Sequence, residues 1–343
     1  MTQQVRTKLA LCFFLAALAS GVPPWSRLAA AELPLVRIAH GAFSEKVAIM
    51  WVGAKHGIFR KHGVHVEVIN IRSGPQTMAA LASGDIQVAY TIPGSVVSAV
   101  TGGFDVAFFA GIVNKADGDF IASPQIRGPQ DLKGKRVGVQ SIGGGVWSMA
   151  MLALEHLGLE PVRDKITVMV IGDSPVLAHS LESGGIEATY LNYTHSRSLK
   201  DKGFPVLLDL GKAPIPYQGL AAATRRSYLH QNRQIIDSLM RGFVDTVAFI
   251  KKPSNKEVVI ETLMKSLRLQ KPQDAEIGYQ ALQWLYSLDV KPTIPGIRNM
   301  ARLLALGNPK VKTVQIEDVV DEAPWQRLET SAFYRDLAAQ GKK

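Results

Sequence analysis

Cysteine is almost missing from this chain. Of 343 residues only Cys12 is one, and it lies in the middle of an N-terminal apolar run. With that run removed, disulfides, a cysteine nucleophile and thiolate metal sites are excluded together. Aromatic residues are sparse at 7%, and none interleave with clusters of Lys and Arg. The formal net charge of +10 therefore reads as a solvated basic surface, not as a nucleic-acid face. The apolar run itself, Leu9 to Ala19, holds eleven residues, too few for the roughly 20 of a membrane-spanning helix.

Catalytic signatures are equally thin. Val139-Gln140-Ser141-Ile142-Gly143 misses the G-x-S-x-G elbow because Val stands in place of the first glycine. Gly143 and Gly145 begin a dinucleotide pattern that fails at Ser148. His56, His62 and His65 fall close together, but at helix ends and on an outward strand position, so they read as surface residues and not as a zinc site. Trp51 and Trp147 read as core, with Trp147 also near enough to the glycines to wall a cleft. No metal, no cofactor and no catalytic residue is expected.

What is present begins with an export signal. Arg6 and Lys8 precede the apolar run, and Ala29-Ala30-Ala31 offers an A-x-A cleavage site before Glu32. Residues 1–31 are expected to be removed on the way to the periplasm, with Pro23-Pro24 and the long gap before Ala29 leaving an earlier cut near Ala19-Ser20-Gly21 open. Cys12 follows Leu11 inside the run, not a small residue at its end, which argues against lipid attachment.

The organising feature is an internal echo. Leu81-Ala82-Ser83-Gly84-Asp85-Ile86-Gln87-Val88-Ala89-Tyr90 recurs 100 residues later as Leu181-Glu182-Ser183-Gly184-Gly185-Ile186-Glu187-Ala188-Thr189-Tyr190. Each copy reads as a helix ending at Ser-Gly, then a short strand to Tyr. A spacing this long is no solenoid, whose periods run roughly 20–50 residues; it implies two similar α/β lobes. Around it, strand, helix, strand, helix, strand is legible over about 35–91 and again over about 135–190. Two segments cross between the halves, near 113–123 and 204–220. Alternation of this kind predicts parallel sheets with right-handed crossovers. From Arg226 the chain turns helical, with Ile235, Ile236, Leu239, Phe243, Val247 and Ile250 on one stripe, and buttresses the first lobe. The expected domains are 32–115 with 215–343 for the first lobe, and 116–214 for the second.

Ligands bind open parallel sheets beyond the carboxyl ends of the strands. Here those ends are small and polar, and several open directly onto helices, whose free N–H groups attract anions. Phe43, Ser44, Ser73, Gly74, Thr91, Gly94 and Ser95 in the first lobe are the candidates, with Ser141, Gly143, Gly144, Gly145, Asn192 and Tyr193 in the second. The loop Ser141–Gly145 is expected to be the second lobe's main anchor. A side chain at Gly144 is expected to block the ligand while sparing the stability of the free protein.

Four stretches carry a family resemblance. Trp51-Val52-Gly53-Ala54-Lys55-His56-Gly57-Ile58-Phe59 through Glu67, Leu81–Tyr90, Asp131-Leu132-Lys133-Gly134-Lys135-Arg136-Val137-Gly138-Val139 and Leu181–Tyr190 resemble signatures of exported solute-binding proteins of ABC importers. The group is the one for nitrate, sulfonate, taurine and thiamine precursors, and the likeness covers about residues 35–250. Gln87 and Glu187 depart from it, standing where Asp is usual. The resemblance implies a type II periplasmic-binding-protein fold: two parallel-sheet lobes, two crossing segments and a small-molecule ligand between them. It further implies a monomer that docks on an ABC permease in the inner membrane and is not an enzyme. The ligands it implies are sulfonate-, nitrate- or taurine-like anions and aromatic acids, with a thiamine pyrimidine precursor as the alternative. Enzymes of the same fold, a pyrimidine-precursor synthase and a menaquinone-pathway lyase, fit less well. The first needs a cysteine-rich iron motif and the second works in the cytosol.

Overall fold

The computed structural model describes residues 32–71 and 74–340; the expected export signal and Ser73 lie outside them. Ten strands form two five-stranded sheets. In the first, β1 (Leu35–His40), β2 (His65–Asn70), β3 (Val88–Thr91), β4 (Val106–Gly111) and β10 (Ala221–Arg225) lie in the order β2-β1-β3-β10-β4. In the second, β5 (Asp119–Ala122), β6 (Arg136–Val139), β7 (Thr167–Val170), β8 (Ala188–Leu191) and β9 (Val206–Asp209) lie in the order β7-β6-β8-β5-β9. The same permutation appears twice, as the echo requires.

Neither sheet is wholly parallel, contrary to the sequence expectation. β10 runs antiparallel to both β3 and β4, and β5 runs antiparallel to both β8 and β9. The reason is topological. β5 and β10 are the strands reached directly from the other lobe, with no helix to turn the chain round. The crossing stretches, 112–118 and 210–220, are themselves joined. Ile112 and Val113 donate to the Leu220 carbonyl, Gly219 donates to that of Val113, and Lys115 bridges Pro216. Two hydrogen-bonded strands therefore connect the lobes, a hinge in form.

The helices between strands are α1 (Ala48–Lys55), α2 (Ile58–Lys61), α3 (Gly74–Ser83), α4 (Pro93–Thr101), α5 (Gly145–His156), α6 (Ser174–Glu182) and α7 (Tyr193–Asp201). α3 and α6 end in the echoed Ser-Gly, and Gly84 and Gly184 take φ of +89° and +77°, the left-handed conformation that lacks a Cβ penalty only in glycine. The departures Gln87 and Glu187 do equivalent work in the two lobes. Gln87 Oε1 accepts from Arg37 N at 2.9 Å, and Glu187 Oε2 from Arg136 N at 2.9 Å, tying each echo to the strand beside it. Successive strand residues serve opposite faces: Tyr90 and Phe109 enter one apolar cluster of the first lobe, Ala89 and Phe108 the other.

The C-terminal part is helical: α8 (Arg226–Gln231), α9 (Arg233–Lys251), α10 (Lys256–Leu267), α11 (Pro272–Leu285), α12 (Ile294–Gly307), α13 (Ala323–Glu329) and α14 (Ala332–Gln340). The stripe from Ile236 to Ile250 on α9 is buried in the first lobe's core. These helices do more than buttress that lobe. α11 packs on α7 and α12 on α5, and Met300 and Leu303 of α12 belong to the second lobe's core. The lobes are thus in contact, and Arg302 on α12 reaches Glu155 on α5 at 2.7 Å. No helix among the described residues is long and apolar enough to cross a membrane.

Candidate ligand-binding site

The carboxyl ends of β1, β3, β6, β7 and β8 face one another across the gap between the lobes. They enclose a cleft of about 100 Å³, below the roughly 300 Å³ at which drug-sized pockets begin. A molecule held here with the lobes in contact is small.

Nine of the sequence candidates line it: Phe43, Ser44, Gly74, Thr91 and Ser95 from the first lobe, and Ser141, Gly144, Gly145 and Asn192 from the second. Ser44 caps the 3-10 turn Glu45–Val47, its Oγ accepting from Lys46 N at 3.2 Å. Asn192 caps α7, its Oδ1 accepting from His195 N at 2.9 Å, while its buried Nδ2 has no hydrogen-bond partner. Ser141 and Gly144 close a turn, Gly144 N donating to the Ser141 carbonyl at 3.1 Å. Gly143 takes φ +75° inside it, as a type II turn requires. α5 starts at Gly145, so its first N–H groups, lacking a carbonyl one turn earlier, face the cleft.

Of the other four candidates, three stand elsewhere in the structure. Gly94 and Gly143 are where the lobes touch: a Cβ on Gly94 would stand 2.5 Å from the Gly143 carbonyl oxygen. Tyr193 turns away from the cleft, donating its hydroxyl to Asp209 at 2.5 Å and setting its ring beside Trp284. Ser73 lies outside the described residues. Gly144 is also less separable from the fold than expected. A Cβ there would meet Ser141 Oγ at 2.4 Å and the Ser141 carbonyl at 3.0 Å, so a side chain strains the free protein as well as crowding the ligand.

The residue at the centre, Lys46, carries no sequence signal. Among the described residues it is the one charged side chain lining the cleft. Its Nζ donates to Asp117 Oδ1 at 2.8 Å and to the Tyr190 hydroxyl at 3.0 Å, and Tyr190 in turn donates to Asp117 at 3.2 Å. Its carbonyl accepts from Tyr90 and Tyr286 at 3.0 and 2.9 Å. The two echoed tyrosines therefore converge on one lysine, Tyr90 from its own lobe and Tyr190 from the other, while Asp117 comes from the hinge. Burial opposes the ammonium most strongly of any single influence, but the combined attraction of Asp117, Tyr190, Tyr217 and Glu45 holds Lys46 well above the ordinary lysine value. Beside it, burial pushes the Tyr217 phenol up to about 12, so every tyrosine here is a neutral donor.

The remaining suspects are structural. His56 stacks on Phe249, His62 bonds Asp245 at 2.8 Å, and His65 begins β2. Among the described residues no group of three or more His, Cys, Asp or Glu side chains is placed to hold a metal. Trp147 packs against the second core and does not line the cleft, and Trp51 meets His40 edge-on.

Comparison with known proteins places this geometry. Residues 44–255 match the family described as NMT1/THI5 like. No curated protein matches the chain by sequence. Among solved structures it is similar to the alkanesulfonate-binding protein SsuA of Xanthomonas axonopodis pv. citri, bound to MOPS. That likeness has a TM-score of 0.69 at 19% identity, covering 86% of this chain and 100% of that one. The periplasmic aliphatic sulphonate-binding protein SsuA of Escherichia coli gives 0.66 at 20% identity, over 83% and 96%. The periplasmic nitrate-binding protein NrtA of Synechocystis PCC 6803 gives 0.69 at 16% identity, over 88% and 91%. The fold is the type II periplasmic-binding-protein fold.

Proposed function

The chain belongs to the NMT1/THI5-like family, and on that premise we propose that it is an exported solute-binding protein of an ABC importer. It captures a small anion, an oxyanion or an organic acid of sulfonate, nitrate, taurine or aromatic type, between its lobes and presents it to an inner-membrane permease. One observation carries the ligand's sign. The cleft is rich in donors and, among the described residues, is lined by one charged side chain, the Lys46 ammonium, with the unpartnered Asn192 Nδ2 and the first turn of α5 opposite it. The Lys46 charge is shared with Asp117, so what the lining offers an anion is a set of hydrogen-bond donors, one of them charged, and a helix N-terminus. The carrier reading is favoured over an enzyme because Ser141, the serine nearest to a nucleophile pattern, has no histidine or carboxylate bonded to it among the described residues. The thiamine pyrimidine precursor stays the alternative ligand within the family.

A thermal-shift screen of small anions against the mature chain tests this. A ligand at 100 times its dissociation constant stabilises the folded protein by about 2.7 kcal/mol. With the hit in hand, Ser141→Ala is expected to weaken binding about tenfold by calorimetry, since a hydrogen bond to a charged group contributes about 1.5–3 kcal/mol. The ligand-free melting curve should stay in place. Full affinity in Ser141→Ala would remove the loop's assigned role, and a screen that finds only cations or neutral sugars would remove the anion reading.

A further inference from the structure

Glu45 is fully buried, and the capture described above leaves it unused. It sits on the first lobe's turn Glu45–Val47, covered by α11 of the C-terminal helices and by α7 of the second lobe. A Cβ on Gly278 of α11 would come 3.2 Å from Glu45 Cβ and 2.9 Å from Thr194 Oγ1 on α7. Its two oxygens are unequally served. Oε2 accepts from the Ser44 hydroxyl at 3.3 Å; Oε1 has only the buried Thr194 hydroxyl beside it, a weak contact that falls short of a regular hydrogen bond. The neighbouring charges do not compensate it. Lys46 Nζ is committed to Asp117 and Tyr190, and Asp117 is itself a second carboxylate. Tyr286, the other titratable group at this junction, donates to the Lys46 carbonyl. An ionised carboxylate shut in such a place costs far more than a neutral one.

We infer that closing the cleft takes up a proton: Glu45 is ionised while the lobes are apart and becomes neutral when α7 closes over it. The inference rests on the solute-capture reading, because it needs lobes that part. With the lobes in contact, burial lifts the Glu45 carboxyl, Lys46 pulls it back and Asp117 lifts it again, to about 7 against the ordinary 4.5. The closed form therefore has the higher pKa. Its advantage is full below about 4.5, shrinks by up to tenfold per pH unit as pH rises, and is gone above about 7. His195 on α7 works the other way. It stands 6.1 Å from Phe43 of the first lobe and is lowered by burial to about 4, with Asp173 opposing, so acid favours opening through it. The contribution of Glu45 is thus read as a difference between proteins.

The mature chain has no cysteine of its own, so dyes can be attached through Val162→Cys on the second lobe and Leu306→Cys on α12, at positions 85% and 78% exposed. Energy transfer in the ligand-free protein then reports the closed-to-open ratio from about pH 4.5 to about pH 8. Relative to its labelled parent, Glu45→Gln is expected to gain closed form as pH rises to about 7, by up to tenfold per unit. His195→Phe, which removes the opposing group, is expected to lose closed form over the same window. That arm stands even if Glu45→Gln does not fold. A Glu45→Gln-to-parent ratio that does not change with pH, or a level His195→Phe profile, overturns the proton uptake. Either result with solute binding intact leaves the carrier reading standing, whereas a screen without any binder counts against that reading while the ligand-free energy transfer still decides whether lobes that part take up a proton on closing.

Discussion

Replacing Lys46 with Met is expected to destabilise the protein by about 3–5 kcal/mol, because it leaves a fully buried carboxylate without its cation. The Asp117 side chain is 0% exposed and the Lys46 side chain 11%, and Asp117 Oδ2 already lacks a partner. The pair also joins three parts of the molecule, so the loss is felt at the hinge and in both lobes at once. Chemical denaturation of Lys46→Met against the parent measures it. The double change Lys46→Met with Asp117→Leu is expected to recover most of the stability, since a buried ion pair exchanged for apolar groups is often neutral or better. It is not expected to recover anion binding, because the ammonium has left the cleft. A single variant of parental stability would mean that the pair opens to water and is no anchor.

Gly94→Val is expected to separate folding from closing. The position lies in the first turn of α4, where an L-residue fits, and the added Cβ otherwise meets Ile92 and Leu304 at ordinary contact distance. Across the lobe boundary, however, it would stand 2.5 Å from the Gly143 carbonyl oxygen, a backbone atom that cannot swing aside. Overpacking of this kind costs about 1–3 kcal/mol, and here the cost falls on the closed form alone. Affinity for the solute should drop roughly five- to 150-fold, with the ligand-free melting curve unchanged. Lost apo stability together with parental affinity would show that the contact belongs to one rigid body.

The lobes were legible because the echo is local. Leu81–Tyr90 and Leu181–Tyr190 combine a helix stop, a glycine that must turn left-handed and a short alternating strand, and each signal acts within ten residues. The cleft's rim was legible for the same reason: Ser44, Thr91, Ser141 and Asn192 are where strands hand over to helices. The antiparallel β5 and β10 were not, since the direction of a strand depends on where its connection comes from and not on its own residues. Lys46, Glu45 and Asp117 were beyond reach too. Lys46 and Asp117 take their meaning from partners 71 to 144 positions away and Glu45 from the helices of Thr194 and Gly278 still farther along the chain, and in the sequence each reads as a solvated charge. Tyr193 shows the converse: its place at the head of α7 suggested the cleft, yet Asp209 and Trp284 hold it on the far side.

Capture between two lobes requires them to close on the solute, which small-angle scattering of the chain from Glu32 onward, with and without the saturating hit of the anion screen, reports. The hinge of 112–118 and 210–220, with α7 and α11 facing across it, predicts a smaller radius of gyration in the bound protein. Gly94→Val at the same saturation should keep the larger one. An unchanged scattering profile alongside calorimetrically established binding would contradict the account, placing the solute in a rigid site that the lobes do not close upon.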